Sequence, residues 1–406
     1  MQKGISLAQY RRQVCGMQEG YMEAYLDNSA TTRCLESVKD IVVKTMMEDY
    51  GNPSSKHLRG VKAEQYLKDS REAIAKTMKV NEKEIFFTSG GTEANNWAII
   101  GAAMANKRAG MHVITTAIEH PAVIQPMQYL AEQGFRVSYI PVGRDGKADL
   151  AALENAICNE TILISAMYVN NEVGAVQPLE EIAALIKKKK PGILFHVDAI
   201  QAYGKYRILP KKMGIDMLSV SAHKIHGPKG VGFLYVNEKV KIKPLILGGG
   251  QQKGMRSGTD NVPGIAGLGM AAKEAYTGFE EKISHLYRIK ELFANGVSEI
   301  PDTVINSPDG VLGAPQIVSV SFQGIRSEVL LHALEEKEIY VSSGSACSSN
   351  KKLPISTVLK EIGLEKDLLE TTVRFSFSHF TTEEEIAYCL EELKKIVPVL
   401  RKYSRH

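Results

Sequence analysis

Tryptophan occurs once and cysteine only five times in the 406 residues of this chain. The cysteines, Cys15, Cys34, Cys158, Cys347 and Cys389, are odd in number and far apart. That excludes the dense disulfide framework of small secreted domains and fits a reducing compartment, hence the cytoplasm. Their spacing lacks the close pairs of a zinc site, so no metal centre is expected. No apolar run is long enough to span a bilayer, so no membrane association is expected. Neither sign of charge dominates. Fifty Lys and Arg against 46 Asp and Glu leave +4, too little to argue for direct nucleic-acid contact. The basic run Lys187 to Lys190 follows Ile182, Leu185 and Ile186, and reads as the solvated end of a helix. The first twenty residues are polar and lack the apolar core of a secretory signal. Residues 1–24 are expected to form a poorly ordered extension, with Met22 an alternative start.

What is present is an ordinary globular composition, 44% hydrophobic and 24% charged, in a chain long enough for two domains. From about Glu84 to Tyr235, short β-rich runs alternate with amphipathic stretches. Ile85 to Thr88, His112 to Thr116, Val137 to Pro141, Ile162 to Met167, Ile193 to Val197, Met217 to Val220 and Gly232 to Tyr235 read as strands. A helix opens at Gly90-Gly91-Thr92-Glu93 and runs through Ile100; others run from Pro121 to Glu132 and from Pro178 to Lys190. This order implies βαβ units and a mostly parallel sheet, an α/β fold. Beyond Tyr276 the pattern becomes α+β, with strands at Ile317 to Phe322, Ile339 to Ser342 and Thr372 to Phe377, and a closing helix from Thr382 to Val397. The expected division is a large domain over 25–275 and a small one over 276–406, the first residues of the large domain being available to pack on the small one.

Lys224 stands in Ser221-Ala222-His223-Lys224-Ile225-His226-Gly227-Pro228, just after an apolar run. A strand ending at Val220 would present it at a carboxyl edge, where open α/β sheets bind ligands. A partly desolvated lysine loses its proton readily and can form a Schiff base; a solvated loop cation is the competing reading. Four other strand ends carry candidate ligands. Thr88-Ser89-Gly90-Gly91-Thr92 joins strand to helix, where glycines and free N–H groups suit a phosphate or simply a tight turn. His120 precedes a helix and has the shape to stack on a flat ring. Asp198, just past a buried strand, needs a cationic partner such as a pyridinium N–H, or serves as a helix cap. Tyr168-Val169-Asn170-Asn171 offers amides to ligand oxygens, or turn chemistry.

The order Gly-Thr, His, Asn, Asp, His-Lys resembles pyridoxal-phosphate enzymes of aspartate aminotransferase fold. It is most similar to class V, and within it to the group I (NifS/IscS-type) cysteine desulfurases. Tyr25-Leu26-Asp27-Asn28-Ser29-Ala30-Thr31-Thr32, Gly51-Asn52-Pro53-Ser54-Ser55 and Arg256-Ser257-Gly258-Thr259 match as well, so the likeness covers nearly the whole chain. It implies a cofactor, pyridoxal 5'-phosphate, joined to Lys224, which also moves protons. Asp198 would pair with the ring nitrogen, His120 stack on the ring and Gln201 meet the ring oxygen. Thr92, Ser221, His223 and the Gly91 backbone would bind the phosphate, and Thr259 would reach the other subunit's phosphate, making a homodimer. Arg374 would grip the substrate carboxylate, aided by Asn171.

Cys347 lies in Ser342-Ser343-Gly344-Ser345-Ala346-Cys347-Ser348-Ser349-Asn350-Lys351-Lys352, a small, polar stretch that reads as a mobile loop. Lys351 and Lys352 favour its thiolate. An inert buried cysteine is the default for Cys158 and Cys389. The loop resembles the long catalytic loop of group I, which implies L-cysteine as substrate, L-alanine as product, and a persulfide on Cys347. The sulfur then goes to an acceptor protein, an iron–sulfur scaffold or a transfer-RNA thiolase. Selenocysteine lyase, or another class V enzyme, is the alternative. A non-catalytic assembly partner would have no need of Lys224 and Cys347. The chain departs from the family at Ser378-His379-Phe380, where Gly-Arg-Phe is common, and at Gln252-Lys253.

Overall fold

A computed structural model of the chain describes residues 22–343 and 356–403. After a short β1 (Ala24–Tyr25), the alternating region forms seven strands: β2 (Ile85–Thr88), β3 (His112–Thr116), β4 (Arg136–Ile140), β5 (Thr161–Met167), β6 (Leu194–Asp198), β7 (Met217–Ser221) and β8 (Gly232–Val236). They make one sheet in the order β2-β8-β7-β6-β5-β3-β4. β7, β6, β5, β3 and β4 are parallel, and β8 runs antiparallel between β2 and β7. The fold is α/β, as the alternation implies.

β3, β5, β7 and β8 are buried at every position. Helices cover both faces, so these strands read as continuous apolar runs rather than alternating ones. The two-residue period survives in which face each side chain meets. Ile114, Ile164, Leu218 and Phe233 enter one core with Leu67, Ile74, Ile182 and Ile265 from helices. Their neighbours Val113, Leu163, Met217 and Leu234 enter the other, with Trp97, Val123 and Met127. Each such side chain contributes about 1.5–3 kcal/mol by leaving water.

A second, antiparallel sheet follows in the order β12-β13-β10-β9, from β9 (Thr303–Ile305), β10 (Ile317–Phe322), β12 (Ser342–Ser343) and β13 (Thr372–Ser376). Phe293, Phe322, Phe375 and Phe377 fill its core, with the Phe293 and Phe375 rings 4.5 Å apart. β1 pairs in parallel with β11 (Ile339–Tyr340), and Ala24 and Leu26 join this smaller core. The run expected as one strand from Ile339 to Ser342 is therefore two, because β11 pairs with β1 and β12 with β13.

The helix expected from Gly90 through Ile100 is also interrupted. It is α-helical over Gly91–Asn96, widens into a π turn over Trp97–Gly101, and resumes over Ala102–Asn106. The extra residue accommodates Trp97, which is buried and donates Nε1–H to the Lys243 carbonyl at 2.9 Å. Gly101 backs onto the same segment; a Cβ there would stand 2.6 Å from the Lys243 oxygen.

Candidate active site

The carboxyl ends of β2, β3, β5, β6 and β7 share one edge of the large sheet. Each delivers part of the site. β2 leads through Ser89 and Gly90 into the helix that starts at Gly91. Gly90 has φ +154° and ψ −174°, a conformation open essentially only to glycine. A Cβ on Gly91 would lie 2.2 Å from Ile200 Cδ1, so glycine lets this turn sit against the residues after β6 without displacing that side chain. Gly232 does the same from β8, where a Cβ would stand 2.4 Å from the Val220 carbonyl oxygen. Ser221 is buried beside the turn, and Thr92 is exposed at its mouth. Glu93 ties the turn down. It accepts from Ser89 N–H at 2.8 Å and forms a two-point ion pair with Arg256 at 2.9 and 3.0 Å. Arg256 so fixes the segment on which Thr259 is exposed.

Asp198, the last residue of β6, is buried at the centre. Its Oδ2 accepts from Asn95 Nδ2 at 2.7 Å and its Oδ1 from Ile200 N–H at 3.0 Å. Burial pushes its carboxyl up, and these donors together with His120 and Lys224 oppose that. His120 caps the helix Pro121–Glu132 by accepting Ala122 N–H at Nδ1. Burial pushes its imidazole down, and Asp198 pulls it back up. Behind them Glu119 is buried, accepting from Thr116 Oγ1 at 2.6 Å and Met167 N–H at 2.8 Å. Burial raises it to about 8, so at neutral pH it is mostly uncharged.

Lys224 closes a short 3₁₀ turn after β7. Its Nζ donates to the carbonyls of Ser29 and Ala30, the latter at 2.7 Å. Gln201 donates to the same Ser29 carbonyl at 3.0 Å. His223 meets the Thr31 hydroxyl at 3.2 Å, and burial and nearby lysines lower it to about 4, leaving a neutral imidazole. The segment from Asp27 to Thr32 thus touches Lys224, Gln201 and His223, and through Asp27 a fourth expected site residue, Arg374.

Arg374 is buried on β13 and pairs with Asp27 at 2.7 Å through Nη2. Its Nη1 donates to the Asn171 carbonyl at 2.9 Å, and its Nε has no partner. Asn171 thus meets Arg374 through its backbone. Asn170 is a turn residue, its side chain accepting from Glu172 and Val173 N–H groups. Cys347 lies outside the described residues.

A family model described as aminotransferase class-V matches residues 24–389. The chain is 43% identical over 384 residues to the cysteine desulfurase IscS of Clostridium botulinum (strain Hall), covering 94% of this chain and 96% of that one. A solved NifS-like protein superposes with a TM-score of 0.88 at 38% identity, over 93% of this chain and all of its own. The structure of SspA in complex with cysteine superposes at 0.76 and 34% identity, over 88% of this chain. This chain is a class-V aminotransferase of the cysteine desulfurase branch. Like that family it depends on pyridoxal phosphate.

The residues present fit the cofactor. A buried carboxylate held by two donors, an adjacent imidazole, a lysine at the same sheet edge and a glycine turn packed closely on the residues after β6 are the donor set that a protonated pyridine ring and a phosphate require. Sequence reasoning overlooked two contributors in this desulfurase. Asn95 orients Asp198 from one helical turn after Gly91; an asparagine inside a helix, where it is a poor former, was the available signal. Asp27 holds Arg374 from the segment after β1, far away in sequence, and no local pattern announces that pairing.

One expectation needs correcting. Cys389 is buried, but Cys158 is only half-buried. Burial opposes its ionisation, yet the Thr161 hydroxyl, the Glu160 backbone and the Arg136 guanidinium, 2.9 Å away, hold the thiol below its usual range. The departure at Gln252 has a structural basis. Its side chain bonds both Phe87 N–H and Phe87 C=O, at 2.7 and 3.0 Å, pairing with the outer edge of β2 as another strand would.

Proposed function

We propose that this desulfurase takes sulfur from L-cysteine, releases L-alanine, and leaves a persulfide on Cys347 for an acceptor protein, an iron–sulfur scaffold or a transfer-RNA thiolase. The observation that carries the reading is the meeting of Asp198, His120 and Lys224 at one edge of the mostly parallel sheet, with Asp198 and His120 acting on each other's ionisation and Lys224 acting on both. When bound, pyridoxal phosphate supplies an electron sink for the pair released at the substrate Cα.

The chain's residues divide the remaining work. Asp198 pairs with the ring nitrogen, prepared for that charge by Asn95 and Ile200. His120, neutral and fixed by its cap bond, lies on the ring. Gln201 meets the ring oxygen. Gly91, Thr92, Ser221 and His223 hold the phosphate, and Thr259 reaches that of the other subunit in a homodimer. Arg374 receives the substrate carboxylate through its guanidinium. Asn171 positions that guanidinium. Lys224 holds the cofactor and moves the Cα proton. The Cys347 thiolate attacks the substrate sulfur, so that an S–S bond forms and the Cβ–S bond breaks, with alanine leaving once protons are returned. The free Cys34, Cys158 and Cys389 suit the reducing cytoplasm we propose as its setting.

The test is an alanine and sulfide assay on wild type and Cys347→Ala. Loss of the nucleophile should cut both products by at least about a hundredfold while the cofactor stays bound. Alanine release undiminished in the variant would show that no persulfide forms on Cys347.

A further inference from the structure

Behind the backbone of Lys224, where the large sheet's loops meet the smaller domain, lies a cavity of about 40 Å³. Its walls include Lys205, Lys282, His226 and His379, and among the described residues they include no carboxylate. Lys205 and His226 come from loops of the large sheet. Lys282 comes from the helix Phe279–Ser298 and His379 from the residues after β13. The partners these groups do have are uncharged. Lys205 Nζ donates to the Lys224 carbonyl at 2.7 Å, Lys282 Nζ to the Glu274 carbonyl at 2.7 Å, and His226 Nδ1 faces the Arg33 carbonyl at 2.8 Å. The His226 and His379 rings meet edge to face, 4.7 Å apart.

The charges acting on the group are of one sign. Burial, then Lys224, draw Lys205 down to about 7. Burial lowers His226 to about 4, with Lys205 and Lys282 adding to it, and both lysines act on His379 as well. An enclosed ammonium without a carboxylate must either lose its proton or gain a counter-ion. Of its three N–H bonds, Lys205 spends one on the Lys224 carbonyl. One water needs roughly 10–15 Å³ of such space, so this cavity has room for one halide-sized ion and a water or two, and none for an amino acid. Gln316 Oε1, buried on the same wall without a partner, is an acceptor for such a water.

We propose that this cavity binds one halide ion, held by Lys205 and Lys282 between the large and small domains. The ion keeps Lys205 charged and bonded to the Lys224 carbonyl, and so steadies the turn that carries Lys224.

Two measurements test the site, and neither reads activity. Crystals of the holoenzyme soaked in sodium bromide should give an anomalous peak in the cavity, within hydrogen-bond reach of Lys205 Nζ. In solution, bromide at ten times its dissociation constant should lower the holoenzyme's unfolding constant about tenfold relative to gluconate at equal ionic strength, and the effect should saturate. Lys205→Met should abolish that saturable difference. A cavity holding water alone after the soak, or a bromide effect unchanged in Lys205→Met, overturns the proposal. The crystal measurement needs no variant, so it decides the matter even if Lys205→Met does not fold.

Discussion

Asn95→Ala removes a single hydrogen bond and should be felt throughout the site. Asp198 is buried, and burial works to protonate it. Two side-chain or backbone donors keep its charged form, Asn95 Nδ2 at 2.7 Å and Ile200 N–H at 3.0 Å. A hydrogen bond to a charged group contributes about 1.5–3 kcal/mol. At about 1.4 kcal/mol per tenfold change, its loss should weaken cofactor binding about 10- to 150-fold and raise the Asp198 pKa further. Because protonation would then set in at higher pH, retention should fall off more steeply on acidification than in wild type. The assay is the dissociation constant for pyridoxal phosphate, followed by absorbance between pH 6 and 8. Asn95→Asp, which sets a second carboxylate against Asp198, should be worse than Asn95→Ala. Equal dissociation constants for wild type and Asn95→Ala across this range would refute the idea that Asn95 prepares Asp198.

Gly232→Ala would set a Cβ 2.4 Å from the Val220 carbonyl oxygen and 3.0 Å from the Gly90 backbone, and overpacking of this kind should cost about 1–3 kcal/mol in denaturant unfolding. Arg374→Lys keeps the charge but loses the planar fork, so KM for cysteine should rise about tenfold or more, and an unchanged KM would remove Arg374 from substrate binding. Glu119 is held at about 8 against an ordinary 4.5, so it stabilises the fold relative to its ionised state below about pH 4.5, and that contribution is lost as pH rises through 8. Glu119→Gln should flatten this loss, of order 4 kcal/mol, in stability curves measured from pH 5 to 9; parallel curves would place the charge elsewhere.

The large sheet was legible because its strands are buried on both faces and announce themselves as apolar runs. The same runs made the strand ends legible, and with them Lys224, His120 and Asp198. The helices Glu36–Met47 and Leu58–Met78 were not part of that pattern. The second buries Gly60, Ala63, Leu67, Ser70 and Ile74, a stripe so rich in small and polar residues that its apolar signal is faint. Smallness is what its packing needs, since a Cβ on Gly269 of the facing helix would already lie 2.5 Å from Ser70 Oγ. The interrupted helix at Trp97–Gly101 and the divided strand at Ile339 to Ser343 were missed for a different reason. Both are set by partners distant in sequence, Lys243 in one case and β1 and β13 in the other.

Distant partners also explain how the two ends of the site are held in register. Asp27 bonds Arg374, the Asn28 side chain donates to the Ser376 carbonyl at 3.0 Å, and Ser29 N–H donates to Ser376 Oγ at 2.8 Å. The Ser29 carbonyl in turn receives Lys224 and Gln201, and Thr32 bonds the His223 carbonyl at 2.9 Å. Six consecutive residues therefore join the arginine on the small sheet to the lysine on the large one. β1 anchors them at their start by pairing with β11. The string Leu26-Asp27-Asn28-Ser29-Ala30-Thr31-Thr32 has little apolar content and no catalytic group of its own. What it contributes is spacing: Arg374 and Lys224 are both tied to one short run of backbone, bonded at each end.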